Sequence, residues 1–110
     1  MESLSEDIIR EKLTNLHGWE YESNSIQKVF ETKDFASAIS FIVRIGIEAE
    51  KNDHHPNLYL HDWNKVTVTL STHSAGGVTE KDFDLAKKKR DYCKWKIKIL
   101  LTFLQNRMPF

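Results

Sequence analysis

Along this chain the spacing of apolar positions switches between a helical and a strand period, and the switches mark out the elements. Ile8, Ile9, Leu13 and Leu16 recur at helical spacing with charges between them, which predicts a helix over 4–16. Ser5 is its candidate N-cap, Leu4 and Ile9 are spaced as a hydrophobic staple, and His17-Gly18 ends the segment. Trp19–Glu22 and Ser25–Thr32 read as two strands joined at Ser23-Asn24, with Ile26, Lys28 and Phe30 on one face of the second. Asp34–Glu50 carries the clearest helical pattern. Phe35, Ala38, Ile39, Ile42, Val43 and Gly46 form a stripe expected to pack on a sheet, Asp34 is the candidate N-cap, and Pro56 forbids continuation. Leu58–Trp63 and Lys65–Thr72 form a second strand pair, with Val66, Val68 and Leu70 on one face and Thr67, Thr69 and Ser71 on the other. Thr79-Glu80-Lys81-Asp82 is a capping box with Asp at its fourth place. It opens a last helix whose apolar side, Leu85 and Ala86, is interrupted by Lys87-Lys88-Lys89-Arg90.

The order helix, two strands, helix, two strands, helix has short connections inside each strand pair. Such hairpins argue for an α+β fold: a four-stranded antiparallel sheet with three helices packed on one face. At 110 residues the chain suits one domain, and no repeat or linker divides it.

Charge changes the picture by exclusion. The 16 basic and 16 acidic residues cancel, so no overall cationic field attracts nucleic acid, and none is expected as a direct partner. No run approaches the roughly 20 apolar residues that span a bilayer. The N-terminus is acidic and has no apolar segment of the signal-peptide kind, and the single Cys93 suits a reducing compartment. The expectation is a cytoplasmic protein without a membrane contact.

Candidate chemistry gathers in two stretches. Glu50-Lys51-Asn52-Asp53-His54-His55-Pro56 places two carboxylates and two imidazoles at a helix exit, and Ser71-Thr72-His73-Ser74-Ala75-Gly76-Gly77 places a third imidazole at a strand end. Imidazoles exchange protons near neutrality, which suits acid–base work on a small molecule, with Asp53 and Glu50 able to orient a ring. No serine or cysteine lies in a nucleophile motif, and Gly76-Gly77 lacks the flanks of a phosphate loop. Blander readings stand beside this one. An adjacent His-His is often a surface accident. His54, His55, His61 and His73 could instead hold a transition metal, although side chains of adjacent histidines diverge. Asp82 first serves its helix end, Ser71 and Thr72 could simply close a strand, and Trp19 suits core or rim packing.

Ala49-Glu50-Lys51-Asn52-Asp53-His54-His55-Pro56, then Asn64-Lys65-Val66 and Leu70-Ser71-Thr72-His73, resembles the pterin-4a-carbinolamine dehydratase family. Gly77-Val78-Thr79-Glu80-Lys81-Asp82, Leu85-Ala86, Gly18-Trp19 and Lys33-Asp34-Phe35 fit the same pattern, so the resemblance runs from about Leu4 to Ala86. It implies a homodimer or homotetramer that dehydrates 4a-hydroxytetrahydropterins to quinonoid dihydropterins, recycling tetrahydrobiopterin without metal or cofactor. By the same resemblance the catalytic positions are His54, His55 and His73. His54 and His73 match the acid–base pair, and His55 the position that mainly binds and orients substrate. Asp53, Pro56, Ser71, Thr72 and Ser74 match the pocket lining, and Glu50, Trp19 and Asp82 match residues around it. The resemblance also admits a non-catalytic role as a protein-binding transcription coactivator, or action on another pterin. Two departures stand out. Ser74 replaces an acid or asparagine, and the basic run with the tail 87–110 replaces an apolar helix ending.

Overall fold

The computed structural model describes residues 2–87. Its elements are α1 (Glu6–Leu13), β1 (Glu20–Glu22), β2 (Ser25–Glu31), α2 (Phe35–Lys51), β3 (Asn57–His61) and β4 (Lys65–Leu70), followed by a single 3-10 turn (His73–Ala75). A last helix, α3, covers 80–87 within the described residues. The tail expected to depart from the family pattern lies, beyond residue 87, outside the described residues, as does Cys93.

The first hairpin turns through two residues, Ser23 and Asn24, and the second through three, Asp62 to Asn64, each with a left-handed pair. Ser23 and Asn24 have φ of 52° and 63°, and Asp62 and Trp63 have φ of 49° and 57°. The two-residue Ser23-Asn24 turn, with both residues left-handed, is the one whose twist matches that of paired strands. Asn64, expected only as part of the second turn, is buried. Its side-chain amide donates to the Thr32 carbonyl at 3.0 Å, and its own carbonyl accepts from the Thr32 N–H at 2.8 Å. The turn is thereby tied to the end of β2.

All pairings are antiparallel, in the order β1-β2-β4-β3. The crossover through α2 carries the chain to the far edge, so that β4 returns beside β2. On the inner face Ile26, Phe30, Val66, Val68 and Leu70 are buried, with Leu58 and Leu60 partly covered. Ile9, Leu16, Phe41, Ile45, Phe83 and Leu85 pack over them. Lys28 shares that face by its alternation. Its ammonium lies over the Phe30 ring, 4.8 Å from the centroid, and donates to the His17 carbonyl at 2.9 Å, closing the turns after α1.

The helix starts follow the sequence pattern. Ser5 accepts from the Ile8 N–H, and Asp34 accepts from the Ser37 N–H at 2.8 Å. Replacing Asp34 by Ala lowers stability by about 1 kcal/mol, measured as a shift of the chemical-denaturation midpoint at constant slope.

The packing stripe of α2 differs from the expected one. Ala38, Phe41, Ile45 and Ala49 are buried on the sheet side, whereas Phe35, Ile39, Val43 and Ile47 are 51, 44, 55 and 48% exposed. This helix is apolar on more than one side, so period alone leaves its rotation open. Its rotation follows Phe41, whose ring lies 4.9 Å from that of Phe30.

Candidate active site

The exit of α2 determines where the histidine pair points. Asn52 caps the helix, and Asp53 takes the left-handed conformation (φ 48°). The Asp53 N–H donates to the Glu50 carbonyl at 3.2 Å and the His54 N–H to the Ala49 carbonyl at 3.0 Å. These are the two bonds of a Schellman ending, which folds the residue after the left-handed position back toward the helix. His54 is that residue, and it is 8% exposed. The next side chain faces outward: His55 is exposed, with Nε2 2.6 Å from Glu50 Oε1. Pro56 follows half-buried at the start of β3. Asp53 is exposed, and its contribution is the left-handed turn that separates the directions of helix and histidines.

The second stretch leaves β4 through a pinched loop. Thr72 and Gly77 form an isolated bridge, with the Thr72 N–H donating to the Gly77 carbonyl at 2.8 Å. Between them His73, Ser74 and Ala75 make the 3-10 turn, which exits at Gly76 with φ 69°. That positive φ explains the glycine there. His73 and Ser74 are exposed, Ser71 is half-buried, and Thr72 is buried.

The stretches meet at Asp82. Its carboxylate, 0% exposed, has Oδ1 2.5 Å from His54 Nε2. Oδ2 accepts from the Thr79 N–H at 2.9 Å and from the Thr72 hydroxyl at 3.0 Å. The Thr72 and Thr79 hydroxyls lie 2.7 Å apart. Asp82 therefore completes the capping box of α3 and also clamps His54 to the residue before His73. Thr79 joins the cluster without having been singled out as a site residue, and its place as N-cap was the signal that could have found it.

Other candidates fall elsewhere. Trp19 is buried, edge-on to Phe30 with centroids 6.1 Å apart. His61 lies on the helix-free face of the sheet, stacked on Tyr59, and bonds Asp62 at 2.8 Å and the Thr67 hydroxyl at 2.7 Å. The hydrogen bond from His61, helped by the charges of His61 and Lys65, holds the Asp62 carboxyl below its ordinary range. Among the described residues no three His, Cys, Asp or Glu side chains come together as a metal site, and no helix is long and apolar enough to cross a membrane.

The chain thus presents a buried imidazole on a buried carboxylate, an exposed one on Glu50 and a third, exposed, on the loop after β4. Comparison with known proteins identifies the family. The family model for pterin 4 alpha carbinolamine dehydratase matches residues 2–92. The chain belongs to this family. A provisionally named pterin-4-alpha-carbinolamine dehydratase of Sulfolobus acidocaldarius is 47% identical over 85 residues, covering 77% of this chain and 92% of its own. One of Roseiflexus sp., named in the same way, is 48% identical over 83 residues, covering 76% and 88%. The crystal structure of a transcriptional coactivator/pterin dehydratase from Brucella melitensis superposes with a TM-score of 0.77 at 39% identity. It covers 82% of this chain and 97% of its own. A pterin dehydratase-like RuBisCO assembly factor of the alpha-carboxysome shares the fold alone, with a TM-score of 0.52 at 18% identity over 64% and 81% of the chains. Family and relatives make this protein a hydro-lyase of the pterin-4a-carbinolamine dehydratase kind.

Proposed function

We propose that this protein dehydrates 4a-hydroxytetrahydrobiopterin to quinonoid dihydropterin and water within tetrahydrobiopterin recycling, by histidine acid–base catalysis. The observation that carries the reading is the clamp at Asp82, which holds the His54 ring and the residue next to His73. In the reaction one histidine takes a proton from a ring nitrogen. Its lone pair forms the new C=N bond, the C4a–O bond breaks, and the second histidine protonates the departing hydroxyl so that it leaves as water. His54 and His73 are assigned as this pair. His55, held outward by Glu50, binds and orients the pterin. Asp53, Pro56, Ser71, Thr72 and Ser74 are assigned to the pocket lining, with Trp19 supporting from the core.

Titration of a dihydropterin tests the binding part. Wild type quenches or shifts the pterin signal, and His55→Ala loses that response at the same concentrations. Equal binding by both would remove His55 from the site.

Assembly belongs to the same reading. Phe35, Ile39, Val43 and Ile47 run along one side of α2, each roughly half exposed. A stripe of that size on a small domain is costly in water. Packing of α2 against α2 of further copies, as a homodimer or homotetramer, would cover it. Val43→Glu is expected to reduce the sedimentation mass toward that of a monomer while the far-UV spectrum stays unchanged. The same stripe is the surface that a coactivator-like role would offer to a partner protein. The single Cys93 supports a cytoplasmic location.

A further inference from the structure

We infer that Thr72 and Thr79 are positioning residues, a buried hydroxyl relay that orients the Asp82 carboxylate, which in turn sets which ring nitrogen of His54 carries the proton. The argument is a count of protons and builds on the acid–base reading above. The Thr79 N–H can only donate, and it donates to Asp82 Oδ2 at 2.9 Å. The Thr72 hydroxyl has one proton, and it too points to Oδ2, at 3.0 Å. Thr72 Oγ1 therefore acts as acceptor in its 2.7 Å contact with Thr79 Oγ1, and Thr79 supplies the proton. Thr79 Oγ1 in turn accepts from the Lys81 N–H at 3.3 Å. The relay runs one way, from Thr79 to Thr72 to Asp82.

With Oδ2 taken by donors, Asp82 offers Oδ1 to His54 Nε2 as a lone pair, so Nε2 bears the hydrogen. His54 Nδ1 bonds to no described residue. Nδ1 is thus the nitrogen with a lone pair for the substrate, and this assigns the base role to His54. Proton uptake at Nδ1 makes an imidazolium whose Nε2–H already rests on a buried carboxylate. Exposed His73 then donates the proton that turns the leaving hydroxyl into water, and the pair resets by exchange with solvent. The assignment also redefines Thr72. Its hydroxyl is fully engaged inside the protein and leaves no proton for a pterin.

The relay also holds the His73 loop, because the same Thr72 carries the bridge to Gly77. The start of α3, the His54 tautomer and the base of the His73 turn are one hydrogen-bonded unit.

Ring-nitrogen NMR on isotopically labelled full-length protein without substrate tests this directly, alongside turnover of a 4a-hydroxypterin. The wild-type spectrum is expected to show the His54 proton on Nε2. Asp82→Asn keeps the shape, but its oxygen must still accept from Thr79 and Thr72, which turns its amide N–H toward His54. The His54 proton then moves to Nδ1, and kcat falls by roughly 10²–10⁴-fold, the size of the acid–base contribution. Thr72→Val lowers kcat by about tenfold with little change in KM, through misplacement of the ring, and Thr72→Ser recovers most of it. A wild-type proton on Nδ1 would overturn the proposal, and so would an unchanged spectrum and kcat in both Asp82→Asn and Thr72→Val. Full turnover in His54→Gln, with the spectra as expected, would instead sink the acid–base reading, so the two failures are told apart.

Discussion

His54→Ala lowers turnover of a 4a-hydroxypterin by roughly 10²–10⁴-fold, because it removes a proton-transfer group from the reacting centre. His73→Ala does the same by removing its counterpart. The two variants differ in stability, and the difference is diagnostic. His73 is exposed and its side chain makes no hydrogen bond to the described residues, so its replacement leaves the melting temperature almost unchanged. His54 is buried on Asp82, and its loss leaves Oδ1 without a donor. That costs about 1–3 kcal/mol. His54→Gln separates the two effects, since an amide N–H can still reach Asp82 but cannot shuttle a proton. Expected are a near wild-type melting temperature and a turnover as low as that of His54→Ala. Full activity in both His54→Gln and His73→Ala would refute the acid–base pair.

Asp82→Ala is the most damaging single change for stability outside the apolar core. The carboxylate is fully buried and serves His54, Thr72 and the Thr79 N–H together. Its removal strands all three donors, which costs roughly 2–5 kcal/mol. For a domain of this size the melting temperature falls by more than about 10 °C. Glu80→Ala, two residues away, removes only an exposed contact with Lys12 and is expected to shift melting by a few degrees at most. Equal melting curves for Asp82→Ala and wild type would show that the cluster adds nothing to the fold. Turnover of Asp82→Ala, measured well below its melting point, also falls, because His54 is no longer held.

How much of this was legible beforehand depends on the range of the interaction. Val66, Val68 and Leu70 announced their buried face through a two-residue period, and the face is wholly buried as expected. Ser5, Asp34 and the Thr79–Asp82 box announced three helix starts, since capping is a contact between residues three apart. Ser23-Asn24 announced its turn in the same local way. The α2 stripe was misjudged for a complementary reason. Its apolar residues occupy two sides, and only the ring of Phe30 on the sheet decides that Phe41 and Ile45 go inward while Ile39 and Val43 face out.

The candidate site divides along the same line. The sequence by itself determined the residue types: two imidazoles after a helix, one after a strand, and an acid in a capping box. It also placed Pro56 where the helix cannot continue. Only the tertiary structure decided that the capping acid is the same carboxylate that holds His54, 28 residues away. That contact needs the strand order β1-β2-β4-β3, which carries the end of β4 and the start of α3 beside the exit of α2. It also needs the Schellman bonds that turn His54 inward and leave His55 outside. Adjacent histidines carry no local signal of which will be buried. The choice comes from one backbone reversal and from a buried carboxylate that has to be met by donors.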